Sequence, residues 1–279
     1  MRCIQYDIHS IRQQIWNAIS ASRLYEVVGE REVLWRQSSF INTCRANPGG
    51  YQPLQLVYER QSPSPFLFGK VIDQYYLNCP MATAVRARLK AVVTWLERET
   101  KRVVHASGKA NILSLACGSA YDLVSAFRGA PWGDALMVLG IDADHDAVAQ
   151  AQRVSSQAGL PQFEFLVGNL RLHQSIPHAP FDMAMSVGFL DYLSDEAATT
   201  LSRRAKRILG PKGKFLVSMA IDNPHRPFFE HVLGWQLIYR TNERCHNVLR
   251  AAGFSSPKLI ANCNNCFSVF ECTANDGTS

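Results

Sequence analysis

The sequence predicts an α/β protein built on a doubly wound parallel sheet, preceded by a helical N-terminal extension. Three observations carry this. From residue 110 onward, short apolar runs alternate with amphipathic helical stretches. Those runs are predominantly apolar, as in strands covered by helical crossovers on both faces. The last two runs are joined only by NCNN, too short for a crossover, so they must form an antiparallel hairpin at the sheet edge.

Residues 1–105 and 106–279 read as two parts. In the first, Ile8, Ile11, Ile15, Trp16 and Ile19 follow helical spacing. Turn-rich breaks are expected at ANPGGYQP (46–53) and SPSPF (62–66). A long helix over about 81–104 follows, with Val85, Leu89, Val92, Val93 and Leu96 as its apolar stripe. In the second part the strands are NILSLA, ALMVLGID, FEFLVGN, FDMAMSV, KFLVSMAI, SPKLIA and CFSVFECTA. Helices are expected near 121–129, 145–158, 195–209 and 242–252.

Composition narrows the function classes. A chain of 279 residues with 47% hydrophobic and 19% charged content suits a globular protein with a real core. No apolar run approaches the roughly 18 residues of a membrane span. MRCIQYDIHSIRQQ lacks a signal-peptide apolar region, so a cytoplasmic protein is expected. The formal charge of +6 is spread along helices such as SRRAKRILG without interleaved aromatics, a pattern of solvated faces rather than a nucleic-acid surface. Neither a nucleic-acid nor a membrane partner is expected, and the chain should be a monomer or homodimer. The eight cysteines are scattered, as free buried thiols are. Cys263 and Cys266 lie between two strands, where a redox CxxC would open a helix and zinc would lack further ligands.

In a doubly wound sheet, ligands bind beyond the carboxyl ends of the strands, at the switch point. The first such turn, ACGSAYD, keeps one glycine, Gly118. Asp142 ends the next strand in LGIDADHD, where a carboxylate can accept from both hydroxyls of a ribose. Asn169 follows the third strand, where an adenine amine could meet its side-chain carbonyl. SVGFLDYL supplies Ser186, Phe189, Asp191 and Tyr192 after the fourth.

Taken in order, ILSLACGSA, GIDADHDAVAQA, FEFLVGN, FDMAMSVGFLDYL and ILGPKGKFLV resemble the motifs of class I S-adenosylmethionine (SAM)-dependent methyltransferases. The resemblance spans about residues 105–272. It implies a Rossmann-like sheet of order 3-2-1-4-5-7-6 with the last strand antiparallel, and SAM as cosubstrate or sole substrate. SLACGSA, VIDQYYLNCPMATAVRARL and W-QLIYRT are similar to bacterial enzymes acting on small molecules, including fatty-acid methyl-ester signal synthases and natural-product enzymes. The sequence departs from the family pattern: Ser114 stands where an acidic residue is frequent, Ala116 and Ala120 replace glycines, and Asn169 replaces an aspartate. SAM has no pyrophosphate, so the turn does not need three glycines to close on one.

On this resemblance, Tyr76, Arg86, Ala116, Gly118, Asp142, Ala143, Asn169, Leu170 and Ser186 would hold SAM. The N-terminal helices would form a lid, its aromatic faces suiting a sulfonium and its arginine fork a carboxylate. The segment 221–241 would face a small-molecule acceptor. Tyr75, Phe189, Asn223, Arg226, Trp235 and Tyr239 would orient that acceptor, with Tyr192, His225 or His231 as general base. A metal site is not expected, because Ser186 occupies the position where metal-dependent relatives carry an aspartate. The function implied is methyl transfer to a small acceptor. A SAM-cyclising enzyme making azetidine-2-carboxylate and methylthioadenosine fits the same residues, as does a non-catalytic SAM-binding module.

Overall fold

The structure, a computed structural model, describes residues 36–170 and 180–274. The amphipathic stretch from Ile8 to Ile19 lies outside the described residues. The chain divides into two compact units, Met1–Arg86 with Asp222–Leu237, and Ala87–Ile221 with Ile238–Ser279.

In the first unit, α1 (Ser39–Ala46), α2 (Tyr51–Glu59) and α3 (Leu67–Leu77) precede the first residues of α4 (Pro80–Ser107). The break expected over 46–53 is shorter, because α2 already begins at Tyr51. Pro53 is accommodated in its first turn, where a missing N–H leaves no helical bond unmade. Tyr75 and Tyr76 lie near the end of α3, just before the turn into α4. The segment 222–237 is not a plain loop. Residues Arg226–His231 form α8.

A buried carboxylate ties this unit together. Asp73, fully buried on α3, accepts from the Ser38 hydroxyl (2.6 Å) and Phe40 N–H (3.3 Å) on one oxygen. Its other oxygen accepts from the Ser62 hydroxyl (2.7 Å) and Ser64 N–H (3.1 Å). Burial alone would push the carboxyl up, but the serine hydroxyls and backbone N–H outweigh it and hold it below the usual value. Asp73→Ala is expected to destabilise this unit by about 2–4 kcal/mol at pH 7, since hydrogen bonds to charged groups are the stronger kind. The depressed value means that this contribution is present above the unfolded carboxyl range near ~4, and is lost as pH falls through the folded value. Urea titrations of both proteins should therefore converge as pH is lowered; a gap that persists in acid would contradict this role.

The second unit carries the sheet. Its strands are β1 (Ala110–Leu115), β2 (Leu136–Asp142), β3 (Phe163–Val167), β4 (Phe181–Ser186), β5 (Leu209–Ala220), β6 (Lys258–Cys263) and β7 (Phe267–Thr273). Their order is β3-β2-β1-β4-β5-β7-β6, and β7 runs antiparallel to both β5 and β6, as the sequence implies. β1 lies centrally, its residues buried except Asn111, and pairs in parallel with β2 and β4. The helices of this unit are α5 (Tyr121–Phe127), α6 (His145–Gln157), α7 (Asp195–Ile208), α9 (Asn242–Ala251) and most of α4. Local chemistry sets their starts: Asp144, Ser194 and Thr241 each accept a backbone N–H of the first turn. α7 also places Asp195 and Glu196 at its N-terminus and Lys206 and Arg207 at its C-terminus, matching the helix dipole.

Two details differ from the sequence reading. β5 begins earlier than the KFLVSMAI run and includes GPKG, where the register with β4 jumps from Phe181↔Leu209 to Met183↔Lys214. The Cys263–Cys266 pair brackets a hairpin turn. Asn264 and Asn265 both take positive φ (51° and 55°), and Cys266 N–H donates to Cys263 O at 3.0 Å. Cys44, Cys79, Cys117, Cys245, Cys263, Cys266 and Cys272 are all buried free thiols.

The C-terminal two-thirds of α4 are fastened to β5 and β7 by charge. Trp95 Nε1 donates to Glu271 Oε2 (2.7 Å), and Arg98 pairs with the same oxygen at 2.8 Å. Lys214 bridges Glu99 (3.1 Å) and Glu271 (3.2 Å). This anchorage places the preceding turn of α4, which carries Arg88, among the residues that follow β4.

Candidate functional site

The carboxyl ends of β1 and β2 are joined through one carboxylate. Asp142 Oδ2 accepts from Gly118 N–H at 2.7 Å, and Oδ1 accepts from Asp144 N–H at 3.0 Å. A carboxylate has about four acceptor positions, so both oxygens retain capacity for a further donor. The turn after β1 takes positive φ at Ala116 (58°), Gly118 (53°) and Ala120 (56°). The two alanines therefore keep the backbone that glycine would adopt freely, at a strain of roughly 1–2 kcal/mol per residue. Cys117 N–H donates to Ile141 O, locking the turn against the end of β2.

Ala143 and Asn169 are exposed beside this turn, and Leu170 is buried. Ser186 is fully buried, and its hydroxyl has no hydrogen-bond partner among the described residues. Beyond it, Gly188 N–H donates to Ser218 Oγ (2.9 Å), and a short 3-10 turn follows at Leu190–Tyr192. Leu170, Phe189 and Tyr192 line one cavity of about 440 Å³, together with Ser194, Thr200 and Arg204. Ala116, Gly118, Asp142, Ala143, Asn169 and Ser186 lie at or just after the ends of β1–β4 in the same unit, but none of them lines this cavity.

Asp191 anchors that 3-10 turn. Its Oδ1 accepts Ala220 N–H at 2.6 Å, and its backbone carbonyl accepts Ile238 N–H at 2.7 Å. Burial raises its carboxyl to about 6 despite the Ala220 N–H and the charges of Arg88 and Arg240. Asp122, in the first turn of α5, is likewise pushed up to about 6 by desolvation, against Leu123 N–H and Arg88. Tyr239 is buried in this unit. Its neighbour Arg240 is almost fully buried and donates to Leu190 O, Leu193 O and Asp195.

The remaining expected residues belong to the first unit. Tyr75, Tyr76, Phe228, Phe229 and Trp235 form a chain of ring contacts, with Tyr76 stacked on Phe228 at 4.9 Å. Desolvation pushes the Tyr76 hydroxyl up. Arg86 Nη1 donates to Val57 O (3.2 Å) and Leu77 O (2.8 Å), so it holds helix ends together. Asn223 Oδ1 accepts His225 N–H, and burial lowers the His225 imidazole to about 4, leaving it neutral near pH 7. Arg226 pairs with Glu230 at 2.7 Å, and His231 is exposed.

One residue escapes the sequence reading. Arg88 lies two positions from Arg86 on α4, about 200° around the helix, and so faces a different neighbourhood. It is 3% exposed, sits 4.5 Å over the Phe267 ring, and leaves Nε without a partner.

The strand order, the turn after β1 and its carboxylate partner define the fold of SAM-dependent methyltransferases. Residues 112–213 match the methyltransferase domain family. No functionally curated protein matches the sequence. Among solved structures, a Bordetella parapertussis protein is similar over 98% of this chain and 99% of its own, at 17% identity and TM-score 0.72. Magnesium protoporphyrin IX methyltransferase from Synechocystis PCC 6803, solved with bound SAH, is similar over 84% of this chain and 99% of its own (14% identity, TM-score 0.57). An O-methyltransferase family protein from Burkholderia thailandensis covers 69% of this chain and 61% of its own (18% identity, TM-score 0.51). No helix among the described residues is long and apolar enough to cross a membrane.

Proposed function

We propose that the chain is a SAM-dependent enzyme of bacterial small-molecule biosynthesis that transfers the methyl group to a small acceptor. The observation that carries the reading is the 2.7 Å bond from Gly118 N–H to Asp142. It holds an open, glycine-like turn and a ribose-binding carboxylate in fixed relation within the matched domain. Bound SAM supplies an electrophilic methyl group on a sulfonium. The protein's share is then alignment and water exclusion, which together account for much of the barrier reduction in a bimolecular displacement. Phe189 and Tyr192 offer an apolar wall and a hydroxyl in the segment that follows β4. A carboxylate acceptor needs no base, whereas a neutral hydroxyl or amine needs one, and Tyr192 is the candidate in this unit.

Incubating the protein with SAM alone, then with a panel of small carboxylic acids, phenols and amines, tests the reading by chromatography. Turnover should wait for an acceptor and yield S-adenosylhomocysteine. Methylthioadenosine formed without any acceptor would replace methyl transfer by cyclisation, and failure to bind SAM would remove the enzymatic reading.

A further inference from the structure

We propose that the first turns of α3 dock on an anionic lipid surface, into which Phe66, Leu67 and Phe68 insert. The inference goes beyond the SAM-site reading and does not depend on it.

α3 is apolar on two sides, and only one of them is covered. Gly69, Asp73, Tyr76 and Leu77 are buried, with Gln37 O set against Gly69. Leu67, Val71 and Tyr75, spaced by four, form an exposed stripe on the opposite side, and Phe68 widens it. A helix apolar all round is normally buried, and an exposed patch of this kind marks an interaction surface. The stripe cannot turn inward. The bonds of Asp73 to Ser38, Phe40, Ser62 and Ser64 fix the rotation of α3, and reversing it would undo them. The other large apolar residues exposed among the described ones, Met137, Leu166, Val167 and Leu259, lie on strands.

Shape narrows the partner. Consecutive helical residues point about 100° apart. Phe66, Leu67 and Phe68 are nevertheless 75%, 79% and 55% exposed, so the end of the helix protrudes with apolar side chains directed several ways. A protein surface covers one side of such a tip, whereas the headgroup boundary of a lipid layer closes around it. α3 has 11 residues, so it would lie in that boundary without spanning the layer.

Charge narrows it further. The acidic residues between positions 36 and 86 are Glu59 and Asp73, and Asp73 is buried. Arg36, Arg60 and Lys70 are all exposed; Lys70 lies on α3 itself, and Arg36 adjoins the Gln37 that touches it. Apolar insertion and attraction of cations to anionic headgroups reinforce one another at a membrane surface. The same cations oppose a second copy on this face, because a two-fold contact would bring both Lys70 side chains together. The charge of the whole chain is spread evenly and points to no membrane partner. What sets α3 apart is exposure, a property of the fold.

Co-sedimentation of the full chain with vesicles tests the proposal, using phosphatidylcholine alone and equal parts of phosphatidylcholine and phosphatidylglycerol. Wild type should pellet with the mixed vesicles and bind the neutral ones about tenfold more weakly or less. Leu67→Ser and Phe68→Ser should each reduce binding about tenfold or more, the scale of one apolar side chain returned to water. Lys70→Glu should weaken binding to the mixed vesicles by about tenfold or more and leave the neutral ones unaffected. Met137→Ser, exposed on β2, should bind as wild type does. All four side chains are exposed, so the variants should keep the circular dichroism of wild type. Wild-type binding by Leu67→Ser and Phe68→Ser would overturn the proposal, as would an equal loss in Met137→Ser or equal binding to both vesicles. A wild type indifferent to vesicles would also overturn it, leaving the face to a protein partner or to another segment of this chain. So would a dimer in sedimentation velocity that Leu67→Ser dissolves, which would assign the face to a second copy.

Discussion

Asp142→Ala is expected to lower SAM affinity by about 100-fold or more. Two hydrogen bonds from ribose hydroxyls to one carboxylate are worth about 3–5 kcal/mol together, and each 1.4 kcal/mol is tenfold. The same change frees Gly118 N–H and Asp144 N–H, the two backbone donors that Asp142 now accepts. Asp142→Asn sharpens the test. Its amide keeps one acceptor, so it cannot receive Gly118 and a pair of ribose hydroxyls on both sides as the carboxylate does. Binding should fall in the order wild type, Asn, Ala when measured by calorimetry. Unaltered affinity in Asp142→Ala would mean that SAM lies elsewhere or does not bind.

The turn that Asp142 holds explains why a sequence with one glycine can build this site. A dinucleotide fold brings its helix N-terminus onto a pyrophosphate, and only glycine permits that approach. Here Ala116 and Ala120 occupy the positive-φ positions instead, each accepting backbone strain but adding only a methyl group. Ala120 is fully buried, and Ala116 packs against the core cluster that includes Leu115 and Leu190. The strain is balanced by packing that a glycine would forgo. The departure from the glycine pattern thus alters side-chain packing while preserving the path of the backbone.

The sheet was legible because its signal is local. β1, β4 and β7 lie in predominantly apolar runs, and the hairpin follows from a linker too short for anything else. The turn after β1 and the position of Asp142 were legible for a related reason, since both sit at strand ends whose positions the alternation sets. Long-range packing was not. Nothing in VIDQYY marks Asp73 as buried, because the serine that meets it most closely lies 35 residues earlier. The membership of 222–237 in the first unit depends on contacts such as Tyr76 on Phe228 and Arg45 Nε on Val232 O (2.8 Å). Arg86 and Arg88 are equivalent to any composition argument. Only the facing of α4 distinguishes a helix-end clasp from a buried fork.

Arg240→Met should cost the second unit about 3–5 kcal/mol, the usual effect of removing one partner from a buried charged network. Arg240 is 1% exposed and makes nearly every contact its fork allows: Leu190 O at 3.1 Å, Leu193 O at 2.6 Å and Asp195 at 2.9 Å. Its own N–H donates to Ala220 O, fastening the segment after α8 to the end of β5. Methionine fills a similar volume but leaves the Leu193 carbonyl without the Arg240 donor and Leu190 O with only the Leu193 N–H. Asp195 would suffer less, because Arg244 also binds it and it is partly open to water. The carbonyls therefore dominate the loss, which separates this variant from Arg244→Met, where an exposed pair should cost no more than about 1 kcal/mol. Arg240→Lys should recover only part of the stability, since an ammonium cannot span three acceptors in the plane of a fork. The affected acceptors flank Tyr192, so loosening them should also slow turnover under conditions where the variant remains folded. Urea unfolding of the three variants gives the stability order, and a loss near that of Arg244→Met would show that the buried fork is not what holds the turn.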